Sequence, residues 1–235
     1  MNLIYEQLQF FLLKIKHRNT LLFSLILIVL SIAMAVGVYL EESFTPSSAK
    51  TMGSILTQLV FLFLLLMQCT EIESGLCKKL LYNGWSRKKL FKNLFLSTFF
   101  LSIICVIFLS IFVLSIYLAK PHSFAYMQHF FSFKVLLGLF MLSQFSLFLS
   151  TIFRNVSTAI TVQYFLLPLI LLIPIKRIAE RTGNDFLYLI NPYALFVGLI
   201  ENNLFLDSYI IISFIIGFSA IFSALSFWRI NKMNF

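Results

Sequence analysis

Glu73 through Lys92, ESGLCKKLLYNGWSRKKLFK, is where this sequence keeps most of its chemistry. Lys78, Lys79, Arg87, Lys88, Lys89 and Lys92 stand there against the single acid Glu73. Ammonium and guanidinium groups at that density can grip an anionic surface, whether lipid headgroups or acidic protein. Covalent chemistry has less to work with. His17, His122 and His129 show no zinc-type spacing, and the last two belong to an aromatic amphipathic loop with Phe130 and Phe131. Cys69, Cys77 and Cys105 have no metal-like spacing either and read as free thiols in a reducing or lipid setting. No nucleophile–base pair falls within the apolar runs, and GxxxxGK[ST] is absent. The expectation is a chain that is not an enzyme, with no catalytic residue, no metal and no cofactor of its own.

The elements that carry this stretch must lie in lipid. Of 235 residues 60% are hydrophobic and 11% charged, with mean hydropathy +0.95. A soluble domain of this length cannot hide so much apolar surface. The runs are continuous rather than alternating, which excludes an outer-membrane barrel. The fold class is therefore an all-α membrane protein, one transmembrane domain over 1–235. Six spans are expected, at 20–40, 54–70, 94–118, 135–153, 157–175 and 208–228. The second is short and the third long; Pro168 and Pro174 kink or end the fifth. The first is preceded by LKIKHRN and followed by Glu41-Glu42, not by a small-residue cleavage site, so it reads as a span rather than a leader. Ahead of it, 1–18 place Ile4, Leu8, Phe11, Leu12 and Ile15 on one helical face, the pattern of an amphipathic interfacial helix. Residues 176–207 hold DFLYLINPYALFVGLIENN, too short to span and broken at Asn191-Pro192, and read as re-entrant or interfacial helices.

Charge sets the orientation. With the N-terminus inside, the inner segments hold Lys14, Lys16, Arg18, Lys78, Lys79, Arg87, Lys88, Lys89, Lys92, Arg154, Arg229 and Lys232. The outer segments hold Lys50, Lys120, Lys134, Lys176, Arg177 and Arg181. That two-to-one excess favours cytoplasmic N- and C-termini. The inner acids are Glu6, Glu71 and Glu73, so the whole net charge of +9 falls on the side of the anionic leaflet and calls for no nucleic-acid partner.

Within the basic stretch, Leu76, Leu80 and Leu81 make an apolar patch, with Lys78 and Lys79 off it. Asn83, Gly84, Trp85 and Ser86 break the helix, Gly84 being free to take a positive φ. Arg87 and the lysines after it restart the chain into the third span. Such a device is either a charged loop that enforces topology or a lever gripped by a soluble partner. Glu73, Gly75, Leu80, Leu81, Gly84, Ser86 and Arg87 resemble the loop between the second and third spans of ABC-2 type transporter permeases. Cys77 stands where that family commonly has a small or apolar residue and Leu76 where it frequently has Thr, departures that bear on the subfamily. The layout of the whole chain resembles the family too. The resemblance implies that 73–86, including Leu76, Asn83 and Trp85, is a coupling helix docked on a separate ATPase. Two permease chains, alike or different, and two ATPase chains would form the unit in a bacterial cytoplasmic membrane, with ATP and Mg on the ATPase.

The span interiors lack acids and histidines, which argues against an ion-coupled carrier or channel. The resemblance implies that the second and fifth spans meet across the dimer axis, which makes Gln58 and Phe61 in the second, and Gln163, Tyr164 and Phe165 in the fifth, candidates for the cargo path. The polar ones serve equally as interhelical hydrogen-bonding groups. Ser143, Ser146 and Ser150, and Ser219 with Ser223, read as close-packing stripes. An apolar path suits export of hydrophobic or amphipathic peptides, as in small permeases of bacteriocin and lantibiotic immunity, with lipophilic drugs or lipid-linked glycans as competing cargoes. A non-transporting immunity or scaffold protein is the other class of function.

Overall fold

The computed structural model describes residues 29, 45–73, 75–119, 128–153, 155–162, 172–201 and 204–233. The described residues are helical apart from turns and contain no strand. The expected interfacial helix 1–18, all of span 20–40 but Val29, and the middle of span 157–175 lie outside the described residues. In chain order the helices are α1 (Pro46–Glu73), α2 (Leu76–Tyr82), α3 (Arg87–Ala119), α4 (Phe133–Phe153), α5 (Val156–Thr161), α6 (Ile173–Thr182), α7 (Pro192–Ile200) and α8 (Ser208–Lys232). Short 3-10 helices at Gln128–Phe131 and Asp185–Ile190 lead into α4 and α7.

Four helical stretches are long and apolar enough to cross a membrane: Thr51–Thr70, Arg87–Leu118, Phe133–Phe153 and Ser208–Lys232. Each contains one of the expected spans. Leu, Ile and Phe fill them, and α1 starts where the chain supplies a cap. Pro46 takes the first helical position, and Thr45 Oγ1 accepts the Ser48 N–H at 3.2 Å. With 33 residues, α3 is about 50 Å long at 1.5 Å per residue, against a hydrocarbon core of about 30 Å. Its first turns, from Arg87 to Lys92, carry the helix's cations and extend beyond what the lipid core needs.

The bundle is built around α4, which packs against α1, α3, α7 and α8. Small residues allow the approach. A Cβ added at Gly138 would lie 2.8 Å from the Phe196 ring of α7, and one at Gly53 of α1 would lie 2.8 Å from Ile200 of the same helix. Ser143, Ser146 and Ser150 are all buried in this packing. An aromatic series crosses the core. Tyr193 of α7 meets Phe61 of α1 at 5.3 Å, and Phe61 stacks on Phe145 of α4 at 5.7 Å. Phe145 in turn meets Phe222 of α8 at 4.8 Å. Ring pairs at such distances add about 0.5–1.5 kcal/mol each beyond area burial.

A polar clasp joins three helices inside this apolar setting. Gln144 of α4 donates from Nε2 to Thr98 Oγ1 of α3 at 2.5 Å and accepts at Oε1 from Ser223 Oγ of α8 at 3.2 Å. Ser143 Oγ donates to the Thr98 carbonyl at 3.0 Å. Each side-chain amide atom of Gln144 thus has a partner, as a buried amide requires.

Candidate functional site

The basic end of the bundle is assembled from α2, the start of α3 and the end of α8. The backbone of α2 is fixed at both ends. Gly75 precedes it at φ 70 and Gly84 follows it at φ 82, both left-handed. At its C-terminus the Gly84 N–H bonds the Leu81 carbonyl and the Trp85 N–H bonds the Leu80 carbonyl, each at 3.1 Å. That pair of bonds is a Schellman motif, which stops the helix by satisfying its last carbonyls. Ser86 then opens α3 by accepting the Lys89 N–H on its hydroxyl at 3.2 Å, the role of an N-cap.

Arg87 reaches across to α8. Its Nη1 donates to the Ile230 carbonyl at 3.4 Å and to the carbonyl of Asn231. These acceptors are C-terminal helix carbonyls, where the helix dipole favours a cation. The three residues thus divide the local work: Gly84 turns the chain, Ser86 caps α3 and Arg87 tethers it to α8.

Cys77 anchors the other side of α2. It is buried in a small cluster with Leu90 and Leu94 of α3, Leu147 of α4, and Ile230 and Met233 at the end of α8. Leu80 and Leu81 are half-buried against the same cluster. A load placed on α2 is thus shared by three long helices. The outer side of α2 is open: Lys78, Lys79, Tyr82, Asn83 and Gly84 are exposed, Tyr82 to 77%. Lys78 lies 5.8 Å from the Tyr82 ring centre and Lys89 4.6 Å from that of Trp85, cation–π distances that line the ridge with aromatic surface under positive charge. Lys88 and Lys92 are exposed beside it.

Of the other expected site residues, Glu73 closes α1 and Leu76 opens α2. Gln58 is half-buried on α1. Phe61 is fully enclosed between Phe145 and Tyr193, so it is a core residue in this arrangement rather than an open lining. Gln163, Tyr164 and Phe165 lie outside the described residues. Gln58 and Phe61 are therefore not brought together with the α2 ridge, which stands on its own. No family model matches the chain, and no curated protein matches it.

Several features escape a reading of the sequence. Gln68 is completely buried on α1, and neither atom of its amide has a hydrogen-bond partner among the described residues. It falls near the end of an apolar run, where a glutamine is unremarked. The left-handed turn at Gly75 has no more signal than any glycine after a serine. At the opposite end of the bundle Lys176 holds the buried Glu201 through both carboxylate oxygens, at 2.9 and 2.7 Å. That pair joins α6 to the end of α7, too far apart in sequence for any local pattern to reveal. The three cysteines are buried and form no disulfide, and the described residues contain no cluster of side chains that could hold a metal ion.

Proposed function

We propose that this chain is the permease subunit of an ATP-binding cassette exporter, with α2 as the element gripped by a separate ATPase. The observation that carries the reading is the construction of α2. It is a short helix locked between two left-handed glycines, rooted through Cys77 in three long helices, and open on its basic, aromatic side. A loop that served only to hold topology by charge needs none of that rigidity. A grip needs all of it, because a flexible handle would absorb the motor's stroke.

In this reading two permease chains of six spans each, alike or different, join two ATPase chains. The basic end faces the cytosol of a bacterial cell, as the positive-inside bias requires. ATP and Mg bind the ATPases and bring them together. That event drives transport only by favouring one of two arrangements of the bundle, and α2 transmits the preference. With no carboxylate or histidine in the expected span interiors, the path suits hydrophobic or amphipathic peptides of the antimicrobial or cytolytic kind.

The test is co-purification of an ATP-binding cassette ATPase with this chain and reconstitution of the pair, reading ATP hydrolysis and efflux of a labelled amphipathic peptide. Leu81→Asp and Gly84→Asp are expected to leave membrane insertion intact and to separate ATP hydrolysis from efflux. Unchanged efflux in both variants would remove α2 from the coupling role. Equal peptide retention with and without the pair would remove the cargo.

A further inference from the structure

The end of the bundle opposite α2 holds a cavity of about 500 Å³, lined by Lys176, Glu180, Asp185, Tyr188 and Phe205 together with Ala179 and Gly183. That volume is within the range of small-molecule sites, about 300–1,000 Å³. Lys176, Ala179, Glu180 and Gly183 recur at helical spacing, so one side of α6 forms a wall. The Asp185–Ile190 turn and the segment before α8 form the others. Arg177 and Arg181, each one position further along α6, do not line it.

The charges in the cavity are unequal. Lys176 is already committed, with its ammonium on both oxygens of Glu201. Glu180 and Asp185 add two further carboxylates to the wall, and among the described residues no second lysine or arginine lines it. Asp185 uses Oδ2 to accept the Phe205 N–H at 2.9 Å, which fixes both the carboxylate and the aromatic residue beside it in space. Tyr188, which also lines the cavity, is buried, 2% exposed. Burial, and after it the carboxylates of Glu201, Glu180 and Asp185, push its hydroxyl up to about 12. Two carboxylates and a buried phenol around one cavity, with the Lys176 ammonium engaged by Glu201, make a site short of a cation. Phe205 is 89% exposed, so its ring can cover a ligand at the mouth. An aromatic ring and an apolar wall beside the carboxylates favour an organic cation over a bare metal ion.

We propose that this cavity binds a primary ammonium group carried on an apolar or aromatic body. The ammonium donates to the carboxylates of Glu180 and Asp185 and to the Tyr188 hydroxyl oxygen, and the Phe205 ring packs over the body and its charge. A free amine and the lysine side chain of a peptide present the same group. The site is independent of the role of α2 and stands or falls without it.

The test uses the full chain purified in lipid nanodiscs and titrated calorimetrically with phenethylamine, its neutral analogue phenylethanol, a short lysine-bearing peptide, and that peptide with the lysine acetylated. Saturable binding of phenethylamine and none of phenylethanol is expected. Glu180→Gln, a change at an exposed side chain, is expected to weaken binding by about tenfold, as is Tyr188→Phe, which keeps the packed ring. If the lysine peptide binds and its acetylated form does not, the ammonium arrives on a peptide; if only phenethylamine binds, it arrives as a free amine. Equal binding of amine and alcohol, or affinity unchanged in both variants, would overturn the proposal.

Discussion

Gly75 and Gly84 stand at the two ends of the seven-residue helix α2, both in the left-handed region, and beyond its chain neighbours neither has an atom of the described residues within 4 Å of where a Cβ would lie. Their requirement is one of backbone and not of space. A left-handed conformation costs an L-residue roughly 1–2 kcal/mol, so Gly84→Ala is expected to loosen α2 by about that amount while leaving the spans intact. Hydrogen exchange reads it directly: the Gly84 and Trp85 amides, which close the Schellman motif, should lose protection, and those of α4 should not. Gly84→Asn, a residue better suited to the left-handed region, should lose less.

Gln144 ties α3 and α8 to α4 through Thr98 and Ser223. Interhelical hydrogen bonds within membranes average about 0.6 kcal/mol. Gln144→Leu, which removes two of them, is therefore expected to destabilise the bundle by about 1–2 kcal/mol in a detergent unfolding titration. Thr98→Val and Gln144→Leu together should cost less than the sum of the two, because they remove a shared bond.

Gly138 lets Phe196 of α7 lie on α4. Gly138→Ala places a methyl where the ring now stands, and overpacking of this kind costs about 1–3 kcal/mol. Adding Phe196→Leu should restore part of the loss, and thermal unfolding of the single and double variants measures it. An additive double variant would mean that α7 does not depend on this approach.

Tyr188 lies outside the four helices long enough to span, and burial with the nearby carboxylates raises its hydroxyl from the ordinary 10.0 to about 12. The folded chain then holds that proton at a pH where the unfolded chain has released it. The stability this contributes is complete below about pH 10 and is lost as the pH rises through about 12. Wild type should therefore lose stability more steeply than Tyr188→Phe across that window in a series of thermal unfolding curves, and parallel curves would remove the assignment.

Much of this architecture is legible in the sequence because lipid imposes simple rules. Four apolar runs match the four helices long enough to span, and Gly84 is the left-handed helix stop that its neighbours suggest. The charge bias points to the end where α2, α3 and α8 gather their cations. The rest comes from tertiary packing. Nothing in RKKLFK says that α3 already begins at Arg87, because the helix start depends on Ser86 acting as its cap. The segment after Asn191-Pro192 reads as too short to span, a re-entrant or interfacial helix. That its helix α7 is buried along its whole length, with close approaches to Gly53 and Gly138, depends on residues far away in sequence. Arg87 reads as one more cation of the ridge, yet it reaches the end of α8. The Lys176–Glu201 pair and the enclosed Tyr188 have no local signature at all.

The central claim is that the α2 ridge faces the cytosol, where a motor can grip it. Asn83 is exposed at its tip. In a chain whose own cysteines are replaced, Asn83→Cys should resist a membrane-impermeant thiol reagent in intact cells and react once the cells are permeabilised. Reaction in intact cells would place the ridge outside and contradict the claim.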